Sequence, residues 1–187
     1  MMYSMDKAGM WGFFLNYNLL ILDYPGYGLN DGAPNMDDIY KESLLAYDHA
    51  AGLPYVDDNG IIAGGVSLGT GPAVYLAANR DVKGLFLLAP FANGYDLCNN
   101  VLPVFHGPLR LLVRNRLMSE QYAPLVSAPV LIVASRNDET VPFSSSERLK
   151  AYFIAEPEFV ALSGLGHNSI LSDGTTLDSI KEFLQSL

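Results

Sequence analysis

Five short apolar runs recur along this chain: "YNLLILDY" (17–24), "GIIAGGV" (60–66), "GLFLLAP" (84–90), "PVLIVAS" (129–135) and "EFVALSG" (158–164). None alternates cleanly between apolar and polar positions. Near-continuous apolar character over so short a span predicts parallel strands covered on both faces. Between the runs the periodicity becomes helical. Residues 36–51 follow Asn35, a good N-cap, and carry Tyr40, Leu44, Tyr47 and Ala51 along one face. In "FSSSERLKAYF", Ser144 and Glu147 have the spacing of a capping box. The tail "TTLDSIKEFLQSL" puts Leu177, Ile180, Leu184 and Leu187 on one stripe. This alternation predicts an α/β fold: a mostly parallel sheet with helices on both faces, a three-layer α/β/α sandwich. No repeat, linker or low-complexity stretch interrupts it. Residues 1–187 therefore read as a single domain, with a short cap-like segment at 91–126.

Of the 187 residues half are hydrophobic and 17% charged, enough apolar material for one sizeable core. No apolar run approaches the ~18 residues of a membrane span. The opening "MMYSMDKAGMWGFF" lacks the apolar stretch and small-residue site of a signal peptide. Cys98 is the only cysteine, which excludes an internal disulfide and a cysteine metal cluster. These features fit a cytoplasmic setting. The formal charge of −9 and pI of about 4.6 argue against nucleic acid as a partner, because phosphates need a basic face. Arg110, Arg114 and Arg116 do cluster. They read first as a solvated helix face, and second as an attractor for an anionic acyl chain end or headgroup. There is no P-loop, no G-x-G-x-x-G and no metal-ligand spacing, so neither cofactor nor metal is expected. The expected partner is a small-molecule or acylated substrate. Oligomeric state is not legible.

In open parallel sheets, sites form beyond the carboxyl ends of the strands. Four places qualify: "PGYGLNDG" after Tyr24, "SLGTG" after Val66, "RNDETVP" after Ser135 and "GLGHNS" after Ser163. The second completes G-x-S-x-G with Gly65, Ser67 and Gly69. The pentapeptide alone is a weak signal. Its setting, a strand before and the helical "LGTGPAVYLAANR" after, is the one a nucleophile elbow requires. Glycines there let strand and helix cross closely. The Leu68 amide, at the positive end of the helix, is placed to donate to a developing oxyanion. A serine hydroxyl needs a base, and the base an orienting carboxylate. His49 lies inside helix 36–51, and His106 in an irregular stretch between the third and fourth runs. His167 follows the last run in a glycine-rich loop and is the preferred base. Asp138, after the fourth run, is the preferred acid, with Glu139 as the fallback. Asp23 precedes the serine and reads as ordering the "DYPGYG" turn. The order Ser67, Asp138, His167 is the one this motif class uses. Tyr24 and Tyr27 are candidate walls of a substrate pocket, with packing in the turn as the alternative.

These motifs make the chain resemble the α/β-hydrolase-fold serine hydrolases. The likeness runs through "LLILDYPGYGLNDG", "GGVSLGTGPAVYLA", "PVLIVASRNDETVP" and "GLGHN". It is strongest for small members with almost no lid, among them esterases and protein-depalmitoylating thioesterases. The resemblance implies Ser67 as nucleophile, Asp138 as acid, His167 as base and the Leu68 amide as one oxyanion donor. It implies cleavage of a carboxylic ester or thioester without a cofactor. An amidase or peptidase would keep the same triad. A non-catalytic fragment or pseudoenzyme with an incomplete oxyanion hole is the other alternative.

The family's sheet has about eight strands, against five apolar runs here. By resemblance, its first three strands and the loop supplying a second oxyanion N–H belong ahead of "MMYSMDKAGMWGFFLN", which reads as the helix leading into 17–24. In the family, the third strand separates the two that 17–24 and 60–66 would form. Without it these runs either pair directly or leave unpaired edges. Losing one oxyanion donor costs ~10²–10³ in rate. The expectation is an N-terminally shortened form of a longer hydrolase. Upstream genomic sequence should then hold an in-frame strand-like run followed by "HG", and its absence would overturn the expectation.

Overall fold

The computed structural model describes residues 17–28, 30–57, 60–101 and 117–187, excluding the side chains of 98–101. The helix expected at 1–16, the Cys98 side chain, His106 and Arg110, Arg114 and Arg116 lie outside the described residues. Among the described residues four strands form one sheet: β1 (Ile62–Val66), β2 (Gly84–Leu88), β3 (Val130–Ser135) and β4 (Glu158–Leu162). They lie in that order and every pair is parallel. Val66 stands beside Leu88, Leu88 beside Val133, and Val133 beside Val160, so the carboxyl ends of the strands fall along one rim.

Parallel strands need crossover connections, and helices supply them. Among the described residues, α2 (Thr70–Asn79) lies between β1 and β2, α3 (Gly94–Val101) and α4 (Ser119–Tyr122) between β2 and β3, and α5 (Phe143–Lys150) between β3 and β4, while α1 (Met36–Ala51) precedes β1 and α6 (Gly174–Ser186) follows β4. On one face Leu85, Leu87, Val130 and Ile132 pack with Ala73, Val74 and Ala77 of α2 and Leu149 of α5. On the other, Leu88, Leu131 and Val133 pack with Ile180, Phe183 and Leu184 of α6. All six residues of β3 are buried because both of its faces are covered. Each such aliphatic side chain contributes about 1.5–3 kcal/mol by burial. A third cluster joins α1 to the rim through Met36, Ile39, Tyr40, Phe91, Leu117 and Val141. Tyr40 stacks on Tyr75 of α2 with ring centroids 4.3 Å apart.

Asn35 caps α1 by accepting the Asp37 N–H at 2.9 Å, as its position predicts. The buried face of α1 is Met36, Ile39, Tyr40 and Ser43, rotated by about one residue from the expected stripe. The capping box at Ser144 and Glu147 does not form. Pro142, with φ −56°, occupies the N-cap and sets the turn by its ring, so α5 begins two residues earlier than a Ser144 cap would place it. The serines of α5 serve the core instead. Ser145 Oγ accepts the Ala92 N–H at 2.9 Å, and Ser146 Oγ donates to the Pro90 carbonyl at 2.5 Å.

The largest departure is at 17–24. The run has strand composition but forms no strand, and Leu19 and Leu20 are 41% and 60% exposed. It does not pair with β1, which is an edge strand among the described residues. Apolar side chains favour burial, but a strand also needs a neighbour for its N–H and C=O groups. After it the chain turns sharply. The Tyr27 N–H donates to the Tyr24 carbonyl at 2.8 Å, with Gly26 at φ 79° and Gly28 at φ 60°.

The sheet delivers its chemistry through one tight crossing. A Cβ on Gly65 would stand 2.7 Å from both the Gly69 carbonyl carbon and the Thr70 Cα. Those are backbone atoms at the start of α2 and cannot swing aside. Gly65→Ala is therefore expected to lower the melting temperature by roughly 2–12 °C, from about 1–3 kcal/mol of overpacking. Thermal unfolding measures this, and an unchanged midpoint would show that strand and helix can separate freely.

Candidate active site

Ser67 follows β1 directly and opens a 3₁₀ turn, Ser67–Gly69, that runs into α2. Its φ is +49°. A non-glycine residue there costs on the order of 1–2 kcal/mol. Surrounding contacts hold it. Thr70 Oγ1 donates to the Ser67 carbonyl at 2.6 Å, and Thr70 is fully buried. Sequence reading did not single out Thr70. The only signal was its place three residues after the serine, where a hydroxyl can reach back to that carbonyl. The turn lifts the Ser67 hydroxyl off the sheet rim. The Leu68 N–H lies in the first turn, where helical geometry leaves it without an intrahelical acceptor.

His167 begins the 3₁₀ turn His167–Ser172 beyond β4. Its Nε2 is 2.9 Å from Ser67 Oγ. Its Nδ1 is 2.7 Å from Asp138 Oδ2. Asp138 lies in the loop after β3, and its Oδ1 accepts the Thr140 and Val141 N–H groups, each at 2.8 Å. The Asp138 side chain is 2% exposed and that of His167 14%. Hydroxyl, imidazole and carboxylate thus lie in one hydrogen-bonded line, a geometry able to move a proton from Oγ to Nε2. Glu139 is not on that line. Its Oε2 accepts the backbone N–H of His167 at 2.9 Å. His49 is exposed on the last turn of α1.

No family model matches the chain. An uncharacterized protein of Mycobacterium tuberculosis is 34% identical over 172 residues, 91% of this chain and 60% of the relative. Alpha/beta hydrolase domain-containing protein aho-3 of Caenorhabditis elegans is 28% identical over 173 residues, 92% of this chain and 50% of that protein. Among solved structures, the esterase RhEst1 from Rhodococcus sp. ECU1013 superposes with a TM-score of 0.71 at 15% identity, over 98% of this chain and 86% of that one. This chain has the α/β-hydrolase fold. It spans only 50–60% of the length of these two relatives.

Within that fold the remaining predicted residues separate. Tyr24 packs, as Leu68 does, against the cluster of Met36, Ile39, Tyr40, Phe91, Leu117 and Val141, and burial pushes its phenol up to about 12. Tyr27 is 46% exposed at the turn. The Asp23 carbonyl accepts from Asn30 Nδ2 at 3.0 Å, consistent with a role in ordering the turn. No helix among the described residues is long and apolar enough to cross a membrane.

Burial pushes the Asp138 carboxyl up, but hydrogen bonds from the His167 ring and the Val141 and Thr140 amides more than offset this, holding it below the ordinary carboxylate range. A depressed folded-state value stabilises the protein at every pH above the unfolded value of about 3.9. That contribution is lost as pH falls through the lowered folded value. Asp138→Asn should therefore melt lower than the parent above about pH 4, with the gap closing as the pH drops below it. Melting curves across the acid range measure this, and a gap that stays constant with pH would contradict it.

Proposed function

We propose that this chain is a serine hydrolase that cleaves carboxylic ester or thioester bonds through an acyl-enzyme on Ser67. The observation that carries this reading is the hydrogen-bonded line from Asp138 through His167 to Ser67, with Ser67 held at positive φ. His167 Nε2 takes the Oγ proton as Oγ attacks the substrate carbonyl carbon. Negative charge develops on the carbonyl oxygen, toward which the Leu68 N–H donates. The tetrahedral species collapses, and His167 returns the proton to the departing alcohol or thiol. Water then enters, gives a proton to His167 and attacks the acyl carbon, and the carboxylic acid leaves as Ser67 is restored. Asp138 keeps the imidazole in the tautomer that accepts from Ser67 and stabilises its charged form. Tyr24, which packs against the same buried cluster as Leu68, is a wall residue in this reading, whereas the exposed Tyr27 is a turn residue.

A second reading, a non-catalytic fragment, draws on the outer edge of β1, unpaired among the described residues, and on the exposed Leu19 and Leu20. An amidase differs only in the leaving group. A fluorophosphonate probe and p-nitrophenyl acetate separate the first two. The folded chain should label and turn over, and Ser67→Ala should abolish labelling. His167→Ala should lower turnover by at least about 10³-fold. A folded parent protein that neither labels nor hydrolyses the ester supports the fragment.

A further inference from the structure

The loop that carries Asp138 also grips the loop that carries His167. Three side chains between 135 and 139 reach three backbone groups between 164 and 167. Ser135 Oγ donates to the Leu165 carbonyl at 2.5 Å, and Asn137 Oδ1 accepts the Gly164 N–H at 2.7 Å. Glu139 Oε2 accepts the His167 N–H at 2.9 Å. His167 is thus tied at two levels by adjacent residues, its ring by Asp138 and its backbone by Glu139. The ring bond fixes Nδ1. It does not fix the backbone from which the ring projects, and the Glu139 bond holds that backbone at His167 itself.

Gly166 supplies an independent observation. A Cβ there would lie 2.9 Å from Glu139 Oε2. Its backbone, at φ −77° and ψ 170°, is one that any residue adopts. So backbone conformation does not call for glycine at this position. The space beside it is taken by the Glu139 carboxylate.

We propose that Glu139 is a positioning residue for His167, and that Gly166 is kept bare to seat its carboxylate. This rests on the reading of His167 as the base. The carboxylate holds the His167 amide so that the imidazole spans from Asp138 to Ser67. Alanine at 166 evicts the carboxylate from that amide without straining the backbone, and therefore acts as a mimic of Glu139→Ala. Glutamine at 139 keeps an oxygen acceptor of the same reach.

The test is a mutant cycle with two readouts. Glu139→Ala and Gly166→Ala should each lower kcat, by up to about 10²-fold for a misplaced base, with KM little changed. Glu139→Gln should restore most of the rate. In the Glu139→Ala background, Gly166→Ala should do nothing further, because its target is gone. Losses that multiply, no loss in an active enzyme, or failure of glutamine to rescue would each overturn the proposal. The second readout is hydrogen exchange at the His167 amide by NMR. It should speed by about three- to tenfold, the range of one hydrogen bond, in both alanine variants and not in Glu139→Gln. Equal exchange in all forms would also overturn it. Exchange needs no turnover. It therefore decides the positioning claim even if the parent chain fails to label at Ser67, a result that would count against the hydrolase reading alone.

Discussion

Gly65 meets the first backbone atoms of α2 with no room for a side chain, and the candidate site depends on that crossing. The close approach forces the chain to reverse direction within Ser67–Gly69. It puts Ser67 into a left-handed conformation, which Thr70 then secures by bonding the Ser67 carbonyl. Strain at one residue is offset by the Thr70 hydroxyl bond and by the packing of Ala73, Val74 and Ala77 on the sheet. The same geometry leaves the Leu68 N–H without an intrahelical acceptor. One steric constraint therefore fixes the serine, its neighbouring amide and the seat of α2.

The sheet does the rest of the assembly. Ser67 and His167 are 100 residues apart in the chain, and Asp138 and His167 are 29 apart. Parallel register brings the ends of β1, β3 and β4 to one rim, so their loops meet without crossing the core. Across that rim the 135–139 loop acts as a bracket. It orients the imidazole from one side and holds three backbone groups of the histidine loop from the other. The carboxylate that fell next to the favoured acid in sequence turns out to serve the backbone, and it is the one-residue offset that separates the two tasks.

The outer edge of β1 shows where local composition stops being sufficient. Residues 19–22 are as apolar as the strands of the sheet, yet Leu19 and Leu20 face water and no ladder forms. Burial energy is a property of side chains, whereas strand formation is a property of backbone pairs. The apolar run is therefore a statement about what the segment could pack against. Pairing depends on which backbone lies alongside.

Much of this protein was legible in the sequence. Four of the five apolar runs are parallel strands because continuous burial needs continuous apolar residues, and periodicity placed α1 and α6. The G-x-S-x-G turn, Asp138 and His167 stood out because a hydroxyl, a carboxylate and an imidazole lie at strand ends, and the structure brings the three into hydrogen-bond distance. The tertiary structure alone decided what depends on distance through space. It rotated the buried face of α1, replaced a capping box with Pro142, left 17–24 outside the sheet and moved Glu139 from fallback acid to holder of an amide. Each of these turns on a partner distant in sequence or on competition between neighbouring residues for one position. Residue type records what a side chain is able to do, and only packing determines which neighbour it does it to.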